Sequence, residues 1–307
     1  EQNNLPVEVS WRRVGEIEGG DFPNTRRFNL SMACNHCLEP SCLSGCPTNA
    51  YVKLPNGIVQ HLAEECIGCG YCTWNCPYEV PVMHPGRKIV TKCDMCLPRL
   101  GAGELPACVE ACPTQAIKVE KVNIASWREE HSEADAPNLP SSEITLSTTR
   151  IILPDNVPIE TFSASDHDLQ PADPHWPLVF TTLLIQIALG VVGATWLVEM
   201  LALTDTAVSV GSAPARGAFV AFAAAALALV VSLAHLGRPA YAWKALRGLR
   251  RSWLSREVAL FGAFAGVSMA YAASLFAVDF VAPGSPGVFT SLLGGMATLV
   301  GAAGGAV

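Results

Sequence analysis

CIGCGYCTWNCP, residues 66–77, places four cysteines in the arrangement C-x2-C-x2-C-x3-C-P. Two related groups flank it: residues 34–47 follow C-x2-C-x4-C-x3-C-P, and residues 93–113 follow C-x2-C-x11-C-x3-C-P. These three groups contain all twelve cysteines of the 307-residue sequence. A leading C-x2-C pair and a trailing C-x3-C-P that recur three times indicate a repeated metal-binding module.

The middle group has the spacing with which bacterial ferredoxins bind [4Fe–4S] clusters. In that run three thiolates bind one cube, and the fourth cysteine, which precedes Pro, reaches the other cube. Applied to the first two groups, this rule predicts two complete ligand sets: Cys34, Cys37, Cys42 and Cys76; and Cys66, Cys69, Cys72 and Cys46. The third group then leaves Cys93, Cys96 and Cys108 in need of one more ligand, with Cys112 serving a further cube.

Three other uses of the cysteines are weighed against iron–sulfur clusters. Disulfides require an oxidising compartment, and C-x2-C neighbours are poor partners in three parallel repeats. Structural zinc prefers paired C-x2-C knuckles, and a repeated trailing x3-C-P is not its pattern. Inert buried thiols have no reason to recur in one spacing. Iron–sulfur clusters are therefore the favoured reading.

The charged residues divide the chain into two parts. Residues 1–175 carry 23 of the 27 acidic side chains, whereas residues 176–307 carry four. The net charge is −7, and no basic stripe is present that could neutralise phosphates, so nucleic acid is not expected as a partner. The sequence predicts an α+β ferredoxin-like polycluster domain followed by an all-α transmembrane helical domain. The expected domains are residues 1–122, 123–175 and 176–307.

Four apolar runs in the last domain each have about the 20 residues that span a bilayer. They cover residues 176–204, 215–236, 258–281 and 288–307, and their Gly and Ala content suits close helix packing in lipid. The alternative of buried helices in a soluble protein fits poorly, because four such runs carry almost no charge. Glu199 and Asp279 lie toward the end of the spans remote from the cysteine domain, and we expect them to be interfacial, with proton uptake as the alternative.

Residues 123–175 are predicted to connect the two parts. The stretch at residues 129–143 is acidic and contains prolines, which indicates a loop, while residues 144–153 alternate enough for one strand or an extended arm. Two readings stay open: a simple tether, or an arm that embraces a partner subunit.

The loop charges bear on orientation. Residues 205–214 contain Asp205 and no basic residue, whereas residues 237–257 contain a basic cluster: Arg238, Lys244, Arg247, Arg250, Arg251 and Arg256. Basic loops stay in the cytoplasm, which places the cysteine domain on the cytoplasmic side of the inner membrane. The alternative is that these charges dock the acidic domain, which would allow a periplasmic orientation.

The sequence also resembles a known family. NNLP (3–6), WRRV (11–14), FNLSMACNHC (28–37) and CIGCGYCTWNCPY (66–78) resemble the four-cluster iron–sulfur subunit of DMSO-reductase-type molybdoenzymes. The resemblance implies up to four [4Fe–4S] clusters, a further cysteine group upstream of Glu1, and a molybdopterin-containing catalytic subunit as partner. It implies no catalytic residue in this chain.

HLGRP (235–239) and WLSRE (253–257) resemble the membrane anchor of the same enzyme class, which usually has about eight helices, so we expect further helices beyond residue 307. In such anchors the matching His and the Glu 22 residues later are implicated at the quinol site. His235 ends one span and Glu257 begins the next, and ionisable groups at such positions are functional candidates. His235, Arg238 and Glu257 are therefore the predicted quinone-binding residues, with a capped helix end and an interfacial ion pair as the alternative.

Haem is not expected, because a bis-histidine haem needs paired histidines on membrane helices and only His235 follows His175. The expected function is electron transfer between the molybdopterin subunit and quinone. A fused, cytoplasm-facing chain is most similar to quinone-linked sulfite dehydrogenases. The alternatives are the corresponding subunit of a reductase for DMSO or a related oxide, and a hydrogenase or formate dehydrogenase anchor.

Overall fold

The computed structural model describes residues 3, 5–19, 22–131, 140–152, 162–164, 174–204, 211–281 and 287–306. The chain divides into two compact units, residues 1–172 and residues 173–307. The strands of the first unit are β1 (Arg13–Gly19), β2 (Arg26–Met32), β3 (Tyr51–Lys53), β4 (Val59–His61), β5 (Val82–His84), β6 (Ile89–Thr91) and β7 (Phe162–Ala164). Its helices are α1 (Ser41–Gly45), α2 (Tyr71–Asn75), α3 (Leu97–Gly101), α4 (Ala107–Glu110) and α5 (Ile124–Glu130).

All strand pairing in the described part of the first unit is antiparallel. The sheet order is β2–β1–β7, with Arg13 opposite Met32 at one end of the β1–β2 pair. Strands β3 and β4 form one hairpin, and β5 and β6 form another. The strands of both hairpins have three residues each, so the apolar core that they build is small.

The order of elements repeats. A short helix ends at a trailing cysteine, and a hairpin follows: α1 precedes the β3–β4 hairpin, and α2 precedes the β5–β6 hairpin. The two helices meet at their C-terminal ends, where a Cβ at Gly45 would lie 1.6 Å from Asn75 Nδ2. A side chain at residue 45 would force Asn75 to move, so glycine suits this close approach. Cys46 and Cys76, the residues that follow the two helices, then lie close to the opposite copy.

The second unit consists of four long helices, α6 (Trp176–Thr204), α7 (Ala213–Ser232), α8 (Trp253–Val281) and α9 (Val288–Ala306). The second extends as a 3₁₀ turn, Leu233–His235, and a 3₁₀ segment, Pro239–Gly248, lies between α7 and α8. All four helices are long and apolar enough to cross a bilayer. The predicted class, a ferredoxin-type domain followed by a transmembrane helical domain, is confirmed.

Small residues line the interior of the helix bundle. The buried face of α7 is made of alanines at helical spacing, namely Ala218, Ala221, Ala225 and Ala228. A Cβ at Gly294 would lie 2.7 Å from the Trp196 ring, and one at Gly301 would lie 2.7 Å from Leu189. Small residues allow helix backbones to approach closely in lipid, where close packing replaces the hydrophobic effect as the source of association.

Candidate functional site

Two cavities in the first unit are each bounded by four cysteines. Cavity A, with an empty volume of about 370 Å³, is lined by the first set: Cys34, Cys37, Cys42 and Cys76. Cavity B, with an empty volume of about 280 Å³, is lined by the second set: Cys46, Cys66, Cys69 and Cys72. The structure therefore brings together the two sets that the ferredoxin rule predicts, including the exchange of Cys46 and Cys76 between the groups.

The thiols surround a volume rather than a point. Within the described ranges, no three His, Cys, Asp or Glu side chains converge as the ligands of a single metal ion would. A tetrahedral zinc ion needs each sulfur at about 2.3 Å from one centre. A cube of iron and sulfide instead has its irons at separated corners, so its thiolates stand around a larger space. The cavities suit a cluster better than zinc.

Buried hydrogen-bond donors without a partner line both cavities. Among the residues that the structure describes, His61 Nε2 at cavity B has no hydrogen-bond partner, and Asn35 Nδ2 at cavity A lies near Tyr78 but makes no hydrogen bond of normal geometry. The Tyr51 hydroxyl at cavity B lies near Cys72 but makes no hydrogen bond of normal geometry within that same part of the chain. Buried polar groups are rarely left unpaired. The sulfides and thiolates of a cluster are acceptors that these donors would meet, so the residues present fit [4Fe–4S] clusters.

All three C-x2-C pairs share one backbone turn. The residue before the second cysteine has a positive φ in each copy, +42° at His36, +69° at Gly68 and +61° at Met95. In the last two copies its N–H points at the leading thiol, with Gly68 N 3.4 Å from Cys66 Sγ and Met95 N 3.4 Å from Cys93 Sγ. Such bonds stabilise a thiolate, which is the form that binds iron.

A second turn recurs after each trailing cysteine. The residue three positions later has a positive φ in every copy, +59° at Asn49, +51° at Glu79 and +54° at Gln115. Ala50 N donates to Cys46 Sγ at 3.3 Å as a result of this turn. The third cysteine group thus has the same local backbone as the first two, which indicates that it is built for the same chemistry.

Burial gives several of the cysteine thiols a higher pKa than that of a free cysteine. Burial raises the pKa of Cys42 and Cys69 to about 12 and that of Cys93 to about 11. Cys112 is the opposite case: a hydrogen bond from Thr114, helped by backbone N–H groups, lowers its pKa to about 7. Because metal binding displaces the thiol proton, the buried cysteines release protons when iron binds.

Lys92 is a buried cation beside cavity A. Its side chain is 4% exposed, and Nζ lies 3.5 Å from Cys34 Sγ while donating to Cys93 O at 2.9 Å and to Val59 O. His36, whose Nδ1 accepts from Val59 N at 3.0 Å, stays neutral nearby, because burial and the charge of Lys92 lower its pKa to about 3. The cysteine spacing predicts neither residue at cavity A, although Lys92 directly precedes Cys93 in the sequence.

Residues 140–152 attach to the first cysteine group of their own chain. Leu38 N donates to Leu146 O at 2.8 Å, and Thr145 Oγ1 donates to Glu39 O at 3.0 Å and lines cavity A. No strand forms between residues 144 and 152, in contrast to one of the two shapes expected there. This part of the expected connector therefore helps to enclose a cavity, while residues 132–139, 153–161 and 165–173 lie outside the described residues.

The three predicted quinone-binding residues lie where α7 ends and α8 begins. His235 closes the 3₁₀ turn, with Nδ1 in contact with Ser232 O, and Arg238 precedes the following 3₁₀ segment. Glu257 is half-buried near the start of α8. His175, immediately before α6, is close enough to His235 for their charges to interact. All three predicted residues thus lie at the end of the bundle where the second span ends and the third begins.

Arginine–aromatic pairs order the basic segment between α7 and α8. The guanidinium of Arg247 lies 4.8 Å from the centre of the Trp243 ring, and that of Arg256 lies 4.6 Å from the centre of the Trp253 ring. Arg256 Nε also donates to Leu249 O at 3.0 Å. Tryptophan and arginine favour the membrane–water interface, so this segment has the composition of an interfacial layer.

Glu199, which is expected to be interfacial, points into the bundle rather than to its surface. Its side chain is fully buried among α6, α8 and α9, where Tyr271 Oη lies 2.7 Å from Oε2 and Thr290 Oγ1 contacts Oε1. Asp279, by contrast, is half-exposed. The position of a residue along a span sets its depth, but the face of the helix decides whether it points to water, lipid or the bundle interior.

Cysteine-lined cavities joined in one polypeptide to four apolar spans define a membrane-anchored iron–sulfur subunit that transfers electrons. Residues 26–122 match the 4Fe-4S dicluster domain, and residues 171–297 match the DMSO reductase anchor subunit (DmsC). One component of the anaerobic dimethyl sulfoxide reductase of Escherichia coli (strain K12) is 38% identical over 152 residues, which cover 46% of this chain and 73% of that relative. The chain therefore belongs to this family of 4Fe-4S electron-transfer subunits, here fused to its anchor.

Relatives with other names match the same half of the chain. One component of the sulfite dehydrogenase of Allochromatium vinosum is 40% identical over 118 residues, which cover 36% of this chain and 49% of that relative. The formate dehydrogenase-O iron-sulfur subunit of E. coli (strain K12) is 47% identical over 118 residues, which cover 38% of each protein. The family match thus fixes an electron-transfer and membrane-anchor role but is shared by subunits that serve different substrates.

Proposed function

We propose that this chain conducts electrons between a molybdopterin-containing catalytic subunit and membrane quinone, in a complex that oxidises sulfite. The observation that carries the proposal is the fusion itself: a 4Fe-4S domain with two four-cysteine cavities continues into an anchor of the DmsC type. Clusters move single electrons and break no substrate bonds, so the chemistry on sulfite belongs to the partner. The chain supplies the electron path and the membrane attachment.

In this proposal the eight cysteines of cavities A and B are the ligands of two [4Fe–4S] clusters. The other four, Cys93, Cys96, Cys108 and Cys112, are ligands of further clusters, which is supported by the two backbone turns that they share with the first groups. The resemblance to four-cluster subunits supports up to four clusters in the complete assembly. A series of cubes carries electrons over distances that one centre cannot span, because each transfer covers only the gap between two neighbouring cubes.

The quinone end of the path is assigned to His235, Arg238 and Glu257. Quinone reduction consumes two protons with its two electrons, so the site needs groups that donate protons beside the carbonyl oxygens. Histidine can both release and accept a proton near neutral pH, and Glu257 is half-buried near the start of α8. Direct transfer from cluster to quinone without haem is supported by the membrane half of the sequence, in which the histidines are His175 and His235.

The basic segment at residues 237–257 supports a cytoplasmic location for that end of the bundle. The cysteine domain, which is connected to the start of α6, would then face a reducing compartment, where thiols stay available for cluster assembly. The sulfite assignment rests on this orientation together with the sulfite dehydrogenase relative.

A second candidate is reduction of DMSO or a related oxide. The extent of the sequence match favours it, because the match spans 73% of the length of the E. coli DMSO reductase component but 49% of the length of the sulfite dehydrogenase component. The two reactions run electrons in opposite directions through the same polypeptide. Cluster-bearing subunits of either kind can have similar ligand sets, since the reduction potentials are tuned by hydrogen bonds and burial.

The test is purification of the native membrane complex with its large partner. The proposal expects molybdenum in the partner, and sulfite-dependent reduction of a short-chain quinone analogue. Reduction of DMSO by the corresponding quinol, with no activity on sulfite, would replace the first candidate with the second. A complex that lacks molybdenum, or that reduces no quinone with either substrate, would contradict both.

A further inference from the structure

Glu199 is a carboxyl group inside the helix bundle that electron transfer to quinone does not use. It is fully buried, as is Tyr271, and Thr290 is 1% exposed. These residues belong to α6, α8 and α9, so the contact joins three of the four spans. Glu199 lies five residues before the end of α6, and Thr290 lies two residues after the start of α9. The cluster is therefore near the end of the bundle opposite His235, which closes the second span.

The hydrogen bonds around Glu199 can accommodate both of its protonation states. Thr290 Oγ1 lies 2.7 Å from Gly287 O and also contacts Glu199 Oε1 as a donor, so its single hydroxyl proton has two acceptors within reach. Tyr271 Oη donates to Oε2 at 2.7 Å. Two arrangements satisfy these bonds. In one, a carboxylate accepts from both Thr290 and Tyr271. In the other, a neutral acid donates from Oε1 to Thr290 Oγ1 while Thr290 donates to Gly287 O.

Unpartnered hydroxyl groups lie on the same helices. Ser268 Oγ, one turn from Tyr271, and Ser291 Oγ, next to Thr290, are buried without a hydrogen-bond partner in the described part of the bundle. Ser291 O accepts from Trp196 Nε1 at 2.9 Å, which places that residue beside the turn of α6 that leads to Glu199. A purely structural contact between helices would not require extra buried hydroxyls, each of which is costly in an apolar setting.

We propose that Glu199 is a proton-exchange site in the membrane unit, with Tyr271 and Thr290 as its hydrogen-bond partners. Its ligand is a single proton, exchanged with water at the end of the bundle where α6 finishes and α9 begins. The site is separate from the residues assigned to quinone, and the proposal does not depend on them.

The transfer step balances within the described groups. The O–H bond of Glu199 breaks, its proton passes to water, and the bonding electrons stay on the carboxylate. The hydroxyl of Thr290 then turns from Gly287 O to Oε1, while Tyr271 continues to donate to Oε2. Both forms of the acid therefore keep two hydrogen bonds. A buried charge is tolerated only with such compensation, and a site that offers it to both states is suited to repeated exchange.

The surroundings contribute few other charges. Tyr271 of α8 is the titratable side chain in contact with Glu199. At the same end of the described bundle, Arg216 near the start of α7 bonds to Ser212, and Asp279 lies two turns beyond Tyr271 on α8. From α9, Thr290 supplies a neutral hydroxyl.

Infrared spectroscopy of the full chain in lipid discs tests the proposal without any activity assay. The C=O stretch of a protonated carboxylic acid is separate from that of a carboxylate, and subtracting the spectrum of Glu199→Gln isolates the band. Tyr271→Phe identifies it independently, because the carbonyl loses a donor and its stretch moves to higher wavenumber. In D₂O the band should shift to its deuterated position while the amide protons of the spans stay protected.

Thr290→Val removes the hydroxyl that stabilises the ionised form, and it should slow this exchange by about tenfold or more, as expected for loss of a hydrogen bond to a charged group. Thr298→Val is the matched control, because Thr298 donates to Gly294 O on the same helix, and its exchange should equal that of the wild type. A carboxylate band in place of the acid band would overturn the proposal. Exchange that occurs only together with the amide protons, or that Thr290→Val leaves unchanged, would also overturn it.

Discussion

Replacing Lys92 with methionine should lower the reduction potential of the cluster that we propose for cavity A. The substitution keeps most of the side-chain length but removes a positive charge that is 3.5 Å from Cys34 Sγ. Reduction adds one negative charge to the cluster, and a nearby cation stabilises that charge. Without Lys92 the reduced form is less stable, so the potential becomes more negative.

The size of the effect follows from Coulomb's law. The added electron would be shared over a cube held by the cysteines of cavity A, and a separation of roughly 6 Å between its centre and the lysine nitrogen is used for the estimate. With an effective dielectric constant of about 20, the interaction is about 3 kcal/mol, which corresponds to roughly 120 mV for a one-electron step. Lys92 is 4% exposed, so bulk water and salt screen little of this interaction.

The measurement is a redox titration followed by low-temperature EPR on the membrane-bound complex. Lys88→Met provides a matched control, because Lys88 is exposed and four residues away, and its loss changes the net charge equally. We expect the control to shift the potential by less than about 20 mV, since exposed charges are screened. A shift in the Lys92 variant that is no larger than in the control, or a shift to more positive potential, would refute the electrostatic reasoning.

Two further predictions concern the cluster ligands and the quinone site. Cys76→Ser should alter the EPR signal of the cluster bound by the first cysteine group and spare the cluster in cavity B. Ligation by nearest neighbours in sequence would give the reverse. The purified protein should also hold at least about eight iron atoms. His235→Ala or Glu257→Gln should slow quinone-coupled turnover while a soluble dye that exchanges electrons with the catalytic partner is still turned over at the normal rate. Equal loss of both activities would contradict that assignment.

The cysteine cavities illustrate what spacing can predict. The placement of Cys46 and Cys76 in the opposite cavities follows from a repeated motif, because two copies of one turn–helix–hairpin unit must face each other to exchange their trailing residues. The contact between Gly45 and Asn75 is the packing that makes this possible. Spacing could not reveal Lys92 or Thr145 beside cavity A, since both reach it through the tertiary fold, one after β6 and the other from a segment about 70 residues beyond Cys76.

In the first unit the cysteine motifs also bear on the stability of the fold. Its strands and helices are short, and much of its described core consists of cysteines and the residues around them, including Ala50, Val59 and Val90. Filling cavities A and B with clusters would add the bonds that a small apolar core cannot supply, as in other small metal-binding domains. The membrane unit is held differently, by close contacts between Ala and Gly faces.

The burial of Glu199 could have been anticipated from helical periodicity. The buried residues of α6 form one stripe with alternating steps of four and three: Thr181, Ile185, Ala188, Val192, Thr195 and Glu199. In a water-soluble helix such a stripe stands out because the opposite face is polar. In a membrane span the lipid-facing side is apolar as well, so the amphipathic signal disappears and depth alone suggests an interfacial role.

What identifies the stripe here is its small and hydroxyl-bearing residues, and Glu199 continues it by one turn. A carboxyl group on that stripe faces the bundle interior, where it must find hydrogen-bond donors, and Tyr271 and Thr290 supply them.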